Sequence, residues 1–281
     1  MACHCGGHCG GHKEGRRPEV SAESLVRAIT VALSQKHGAE LATTVLPTVT
    51  ETVVKALGIP ELSEISVPYA KEAEAIVKAG RLLGGLGYMA GASCNISVRL
   101  EDGTVLITPS GKRKADLKPE EMVRVDLAGN VLSNGPQKVS SEYMIHLQAY
   151  RSRSDVKAVV HTHAPHATTF AAAHLPLDHT VLAEAWNMLG GSIPVVPFGA
   201  PSTPELASNL IPYLKDHSCF LLANHGVMSV ADNLELAVQR METMEFLARI
   251  QLNARALGGD CPLRGQDLEI MRQVEARRQM K

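Results

Sequence analysis

Apolar positions recur along this chain with two periods, one near 3.6 residues and one near 2, and the switches between them mark out its elements. Between Glu19 and Lys36, the residues Leu25, Val26, Ile29 and Leu33 fall on one helical face, with Ser21 as a cap and Gly38 as a stop. A second helical stretch, about Glu40 to Leu57, is interrupted at Pro47 and ends at Gly58. A third, from about Tyr69 to Leu83, runs into the Gly-rich segment GGLGYMAG. The period then shortens. NISVRL and TVLITP carry β-branched residues on either side of Glu101-Asp102-Gly103, which predicts a hairpin. MVRVDL predicts a further strand, followed by an Ala128-Gly129-Asn130 turn and a short return at VLS. SSEYMIHLQAYRSR predicts a helix, and KAVVHTHA a buried strand that enters a loop. SIPVVPF and CFLLANHG predict two more strands with a helix from Thr203 to Leu214 between them, and a long helical pattern from Asn233 to Ala256 carries Leu236, Met244, Leu247 and Ile250.

Hairpins interleaved with helices, without a regular βαβ alternation, argue for an α/β fold of the α+β type: a mixed or largely antiparallel sheet sandwiched by helices. Four regions follow from the same pattern. Residues 1–18 (MACHCGGHCGGHKEGRRP) have no apolar periodicity and read as a mobile Cys/His-rich tail; residues 19–65 form a helical extension with no evident chemistry; residues 66–257 are the main domain; residues 258–281 are a C-terminal tail or helix.

Composition adds two exclusions. With 45% apolar and only 4% aromatic residues, the core is built from Ala, Val, Leu and Ile. The balance of 28 basic and 29 acidic residues gives no overall field for nucleic acid or an anionic membrane, so anion recognition has to be local. No long apolar run reads as a membrane span and the N-terminus has no signal-peptide pattern, which places the expected location in the cytoplasm. Three cysteines crowd the first nine residues (Cys3, Cys5, Cys9) and three are scattered (Cys94, Cys219, Cys261), which is not a disulfide framework and fits a reducing compartment.

Candidate chemistry concentrates where strands run out. In VKAVVHTHA, His161 and His163 stand at i and i+2 and project from one face, roughly 6–7 Å apart at Cα, close enough to converge on one cation. His225 lies at the end of a second apolar run, CFLLANHG, where Gly226 permits a tight turn behind the imidazole. Three neutral imidazoles with an open fourth position describe a catalytic Zn2+ site, and nitrogen ligands also admit Mn2+, Fe2+ or Co2+. His166 and His146 read as neighbours of that site or as packing residues, and His37, His174, His179 and His217 as solvated. In the tail, Cys3, Cys5, His8 and Cys9, with His4 and His12 nearby, form a soft-ligand cluster suited to zinc or copper(I), a second metal site that could deliver metal to the first. An unstructured tail with incidental affinity reads equally well from the same residues.

The stretches CNISVR, ITPSG, SSE, VVHTH, SIPVVPF and NHG, in this order across roughly residues 66–257, resemble the class II aldolase and adducin family. The resemblance implies a central antiparallel sheet with helices on both sides and zinc held by the two histidines of HTH and the histidine of NHG. It also implies that Glu142 is the catalytic acid/base beside the metal, whereas the residues alone equally read as an early-helix carboxylate favoured by the dipole, with Ser140 or Ser141 as its cap. A substrate phosphate is expected on Asn95, Ser110, Gly111, Ser140 and Ser141, with Lys112 and Arg113 adding charge and Lys114 and Lys118 in a solvated loop. A homotetramer with sites at subunit interfaces is implied as well. Two departures stand out. Cys94 replaces the glycine common before the asparagine, and the segment LAEAWNMLGG lacks the tyrosine that a neighbouring subunit supplies in a type member, with Glu184 as a substitute.

The activity this resemblance implies is retro-aldol cleavage of a ketose 1-phosphate to dihydroxyacetone phosphate and an aldehyde through a metal-stabilised enediolate, making the chain an aldehyde-lyase of carbohydrate metabolism. The alternatives are a decarboxylase on the same scaffold, a sugar-phosphate epimerase, disfavoured by SSE where epimerases carry SSD, a methylthioribulose-phosphate dehydratase, and a metal-free adducin-like module, disfavoured by the intact histidines.

Overall fold

Residues 69–133 and 135–279 are described by the structure, a computed structural model; the tail, the helical extension and the cluster Cys3, Cys5, His8 and Cys9 lie outside them. Helix α1 (Ala70–Gly85) precedes the hairpin of β1 (Asn95–Arg99) and β2 (Val105–Ile107), then β3 (Val123–Val125), α2 (Tyr143–Ser152) and β4 (Ala158–Thr162). There follow α3 (Pro165–Ala172), α4 (Ala183–Leu189), β5 (Val195–Val196), α5 (Pro204–Leu214), β6 (Cys219–Leu222), β7 (Gly226–Ala231), α6 (Leu234–Ala256) and α7 (Gln266–Gln279). The strands form one sheet in the order β3-β2-β1-β4-β7-β6-β5, antiparallel at every pair except β5 with β6. This is the mostly antiparallel class II aldolase-like sheet expected from the resemblance.

Strand alternation divides the core between two faces. Ile96, Val98, Ala158, Val160, Leu221 and Val227 face the layer of α1, α3, α4 and α6. Val105, Ile107, Val159, Phe220, Leu222, Met228 and Val230 face α2 and α5. Helices cover both faces, so β4 and β7 are buried at every position.

Several elements differ from the pattern-based reading. β7 continues directly out of the CFLLANHG run, because GVMSVA is itself β-rich and pairs with both β4 and β6. The return at VLS is a single bridge, Val125 to Val131, and SIPVVPF contributes only Val195 and Val196 as strand, its two prolines removing ladder donors. The short helices α3 and α4 follow Pro165 and Leu182 and are too brief for periodicity to mark. None of the described helices is long and apolar enough to cross a membrane.

Close packing decides one position in α1. Alanine at an interior helix glycine ordinarily stabilises by about 1 kcal/mol, but a Cβ on Gly80 would lie 2.5 Å from the backbone carbonyl oxygen of Lys114. Overpacking against backbone costs about 1–3 kcal/mol, so Gly80→Ala is expected to lower the thermal midpoint; a rise would show that the 114 loop is free to move.

Candidate active site

Two strand-end segments bring the three predicted imidazoles together. His161 is the fourth residue of β4, His163 follows that strand, and His225 occupies the turn between β6 and β7. Because β4 and β7 are neighbours, one potential ligand nitrogen from each ring lies within 4.8 Å of the other two. The ring centroids are 5.2 Å apart for His161 and His163, 4.8 Å for His161 and His225, and 5.2 Å for His163 and His225.

The donor set fits a divalent cation. Nδ1 of His161 lies 2.9 Å from the carbonyl oxygen of Val227, which fixes the proton on Nδ1 and leaves Nε2 with a free lone pair. Nε2 of His161 and Nε2 of His163 are buried without hydrogen-bond partners, which a folded protein tolerates where a ligand satisfies them. Burial, with His161 and His225 adding to it, pulls the His163 pKa down to about 4, so this ring is neutral and ready to ligate at physiological pH.

Gly226 contributes by close approach. Asn224, at φ 55°, is the residue that takes the left-handed turn conformation. A Cβ on Gly226 would stand 2.6 Å from both the Thr162 carbonyl oxygen and Cδ2 of His163. The glycine lets β7 pass directly behind the imidazoles.

Glu142 closes the constellation. It stands at the N-cap position of α2, so neither Ser140 nor Ser141 caps that helix; the Ser140 hydroxyl instead accepts from the Glu142 backbone N–H at 3.4 Å. Its Oε1 lies 2.9 Å from Nε2 of His225 without hydrogen-bond alignment, and its Oε2 lies 3.4 Å from Nε2 of His161. Burial raises the carboxyl pKa, but the nearness of His161 and His225 outweighs it and holds the group well below the usual carboxylate range. An ionised carboxylate against three imidazoles is suited to accepting a proton from a molecule bound at the same cation.

The residues expected to hold an anion divide. The bridge from Pro109 to Val139 and the bond from Ser110 N–H to the Lys138 carbonyl seat the Ser110-Gly111 turn beside the segment leading into Ser140 and Ser141. Ser110, Gly111 and Ser141 are exposed there, and Gly111 has φ 72°. Asn95 differs from expectation: its side chain is buried and committed, donating from Nδ2 to Glu142 Oε2 at 3.0 Å and turning Oδ1 to His146. Lys114 is likewise buried, not solvated, and its ammonium donates to the carbonyls of Ala92 (2.8 Å) and Lys112 (2.7 Å), tying the two loops together. Lys112 pairs with Glu121.

Cys94 resolves the departure noted in the sequence. It adopts φ 72°, the conformation glycine takes freely, so the backbone of the turn is held in the left-handed region despite the side chain, at a cost of about 1–2 kcal/mol. Glu184 is exposed, as an early residue of α4. His166 pairs with Glu245 at 2.7 Å, and Glu245, which sequence reasoning missed, also accepts from the His166 and Ala167 backbone N–H groups and so caps α3.

His146 is fully buried, and burial pulls its pKa down to about 3. A depressed folded pKa means the native state holds the neutral ring, so its contribution is complete above the unfolded value near 6.5 and is lost as pH falls toward 3. Each unit of pH in that window removes about 1.4 kcal/mol. His146→Gln is expected to flatten this part of the acid-unfolding profile; an unchanged profile would assign acid sensitivity to other groups.

A mostly antiparallel sheet between helical layers, with three imidazoles at its strand ends and a carboxylate at the N-cap of α2 facing them, is an arrangement suited to a divalent-metal-dependent enzyme. The chain matches the family described as "Class II Aldolase and Adducin N-terminal domain" over residues 74–252, and it belongs to that family. It is 37% identical over 191 residues to 5-deoxy-D-ribulose 1-phosphate aldolase of Bacillus thuringiensis serovar kurstaki, covering 67% of this chain and 87% of that protein. It is 36% identical over 193 residues to methylthioribulose-1-phosphate dehydratase of Pseudomonas syringae pv. tomato (65% and 94% covered). It is 33% identical over 193 residues to 3-oxo-tetronate 4-phosphate decarboxylase of Pectobacterium atrosepticum (67% and 87% covered). Among solved structures, an L-fuculose 1-phosphate aldolase superposes with a TM-score of 0.66 at 29% identity, covering 75% of this chain and 97% of that one.

Proposed function

We propose that this chain is a divalent-metal-dependent lyase that cleaves a ketose 1-phosphate to dihydroxyacetone phosphate and an aldehyde. The observation that carries the reading is Glu142, held ionised within 2.9 Å of His225 and 3.4 Å of His161. His161, His163 and His225 hold the cation, Zn2+ or another first-row divalent ion, which when bound supplies a Lewis acid that polarises a carbonyl and stabilises the enediolate left by C–C cleavage. Glu142 takes the proton from the aldehyde-side hydroxyl as the bond breaks and returns one to the enediolate carbon. The Ser110-Gly111 turn with Ser140 and Ser141 receives the phosphate, supplying hydroxyls, and Lys114 ties the following residue, Lys112, to the loop at Ala92. The enzyme works as a homo-oligomer in the cytoplasm. The Cys3, Cys5, His8 and Cys9 cluster binds soft metal and loads the main site; deleting residues 1–18 lowers metal occupancy at limiting zinc, and unchanged occupancy would remove that role.

A second reading has support of its own: a dehydratase and a decarboxylase are about as similar to this chain as the aldolase is. All three reactions share an enolate or enediolate beside a polarised carbonyl and differ in what leaves. A panel of ketose phosphates and 3-oxo acid phosphates, assayed in parallel for triose phosphate, water loss and CO₂ with metal analysis of the same sample, separates them. Triose phosphate release is expected; CO₂ or a dehydrated ketone as the product would replace the aldolase reading with the matching alternative.

A further inference from the structure

A seam of polar side chains runs through the otherwise apolar layer between β1 and α2. Asn95 and Ser97, two apart on β1, share the face of the sheet that meets α2. Glu142, His146 and Tyr150 stand four residues apart and line one stripe of that helix. The five side chains interlock into one hydrogen-bonded chain. Glu142 Oε2 meets Asn95 Nδ2 at 3.0 Å, Asn95 Oδ1 meets His146 Nε2, His146 Nδ1 meets Ser97 Oγ at 2.7 Å, and Ser97 Oγ meets Tyr150 Oη at 2.7 Å. Asn95, Ser97, His146 and Tyr150 are each at least 98% buried. A buried polar network adds little stability over an apolar packing of the same volume, so its presence beside a carboxylate calls for a role in the site.

The direction of every donor in the chain follows from its end. Asn95 donates from Nδ2 to Glu142 Oε2, which leaves Oδ1, an acceptor, facing His146. Oδ1 only accepts, so Nε2 of His146 carries the proton. A neutral ring then offers Nδ1 as acceptor, which takes the Ser97 hydroxyl proton, and Ser97 in turn accepts from Tyr150. Burial, which disfavours the charged imidazole, supports the neutral ring. All the donors point one way, toward Oε2.

We propose that Asn95, His146, Ser97 and Tyr150 form a one-way hydrogen-bond relay that fixes Glu142 by Oε2 and reserves Oε1 as the oxygen that exchanges the substrate proton. The relay moves no proton itself; His146 is its central positioning residue. If Asn95 were free to rotate, its carbonyl could turn to the carboxylate, repel it and swing Oε1 away from the imidazoles. The proposal rests on the reading of Glu142 as the proton-handling group.

Two measurements on the full-length, metal-loaded protein test it. The first does not depend on activity: 15N NMR of histidine-labelled protein, with His146→Gln to assign the signal, is expected to show His146 protonated at Nε2 and bare at Nδ1. The opposite tautomer, or an imidazolium at neutral pH, would overturn the relay. The second is kinetic. His146→Leu keeps the volume but removes both hydrogen bonds, and is expected to lower kcat by about tenfold to a hundredfold, the range for a misplaced catalytic group, with KM and metal content unchanged. His146→Gln, which can still donate to Asn95, restores most of kcat. Ser97→Ala and Tyr150→Phe each remove one atom and give smaller losses that fade with distance from Glu142, so the proposal stays testable if His146→Leu does not fold. Equal effects on kcat and stability for all four variants, without rescue by glutamine, would reduce the seam to a structural role. Glu142→Gln run beside them separates the two layers of inference. If it retains full turnover, the underlying reading of Glu142 falls. If it is inactive while His146→Leu is fully active, only the relay falls.

Discussion

Glu142→Gln is expected to lower turnover by about 10²–10⁴-fold, the range associated with a positioned general acid or base, while stoichiometric metal content and thermal midpoint stay near those of the parent. The side chain is nearly isosteric. A glutamine can place its oxygen toward Asn95 Nδ2, where Oε2 now accepts at 3.0 Å, and its amide toward His225. What it cannot do is take up a proton. Losing the carboxylate's charge also breaks no other ion pair, because among the described residues its charged or polar side-chain partners are His161, His225 and Asn95. Kinetics with metal analysis on the same sample check the result, and turnover equal to the parent's would take Glu142 out of the chemistry.

His163→Ala should fail in a different way. Two imidazoles remain, His161 and His225, and the divalent ion is expected to fall below stoichiometry with loss of all measurable activity. The stability readout distinguishes metal loss from simple damage. A ligand at a thousand times its dissociation constant adds about 4 kcal/mol to the folded state, so a chelator should lower the thermal midpoint of the parent and leave that of His163→Ala where it was. A chelator effect of equal size in the variant would place the stabilising ion elsewhere in the chain. Readdition of Zn2+ or Mn2+ to the stripped parent should restore both midpoint and activity.

The features most legible in the sequence were those carried by short-range pattern. The long helix from Leu234, the hairpin around Asp102 and the strand leading into His161 each show an uninterrupted period, and the structure places them where that period does. The three histidines were legible because each ends an apolar run, a one-dimensional mark of a strand end. Their mutual approach was not, since it depends on β4 lying beside β7, and β7 itself was missed as an element. The family resemblance places Asn95 in the anion turn; its side chain turns inward because residue 95 begins a strand whose alternate positions face α2. Lys114 lies in a charged loop and so reads as solvated; the structure buries it, with its ammonium on the carbonyls of both loops. The partners of Glu142 were present in the spacing, Asn95 with Ser97 and Glu142 with His146 and Tyr150, but such a stripe becomes informative only when the two elements are known to face each other.

Asn95 and His161 occupy opposite rungs of the β1–β4 ladder, and His161 in turn sits opposite Met228 on β7. Asn95, which holds Glu142, and one imidazole of the histidine cluster are therefore fixed by strand register and not by loop conformation. A slip of one residue in this pairing would put Asn95 and His161 on opposite faces of the sheet and break the cluster around Glu142. Misfolded or half-paired chains of this protein should thus be catalytically silent, with no weakly active population between the native and the inert. Specific activity per molecule of protein then reports the fraction of correctly registered molecules, useful for judging refolded or destabilised preparations in which total protein and even helix content look normal.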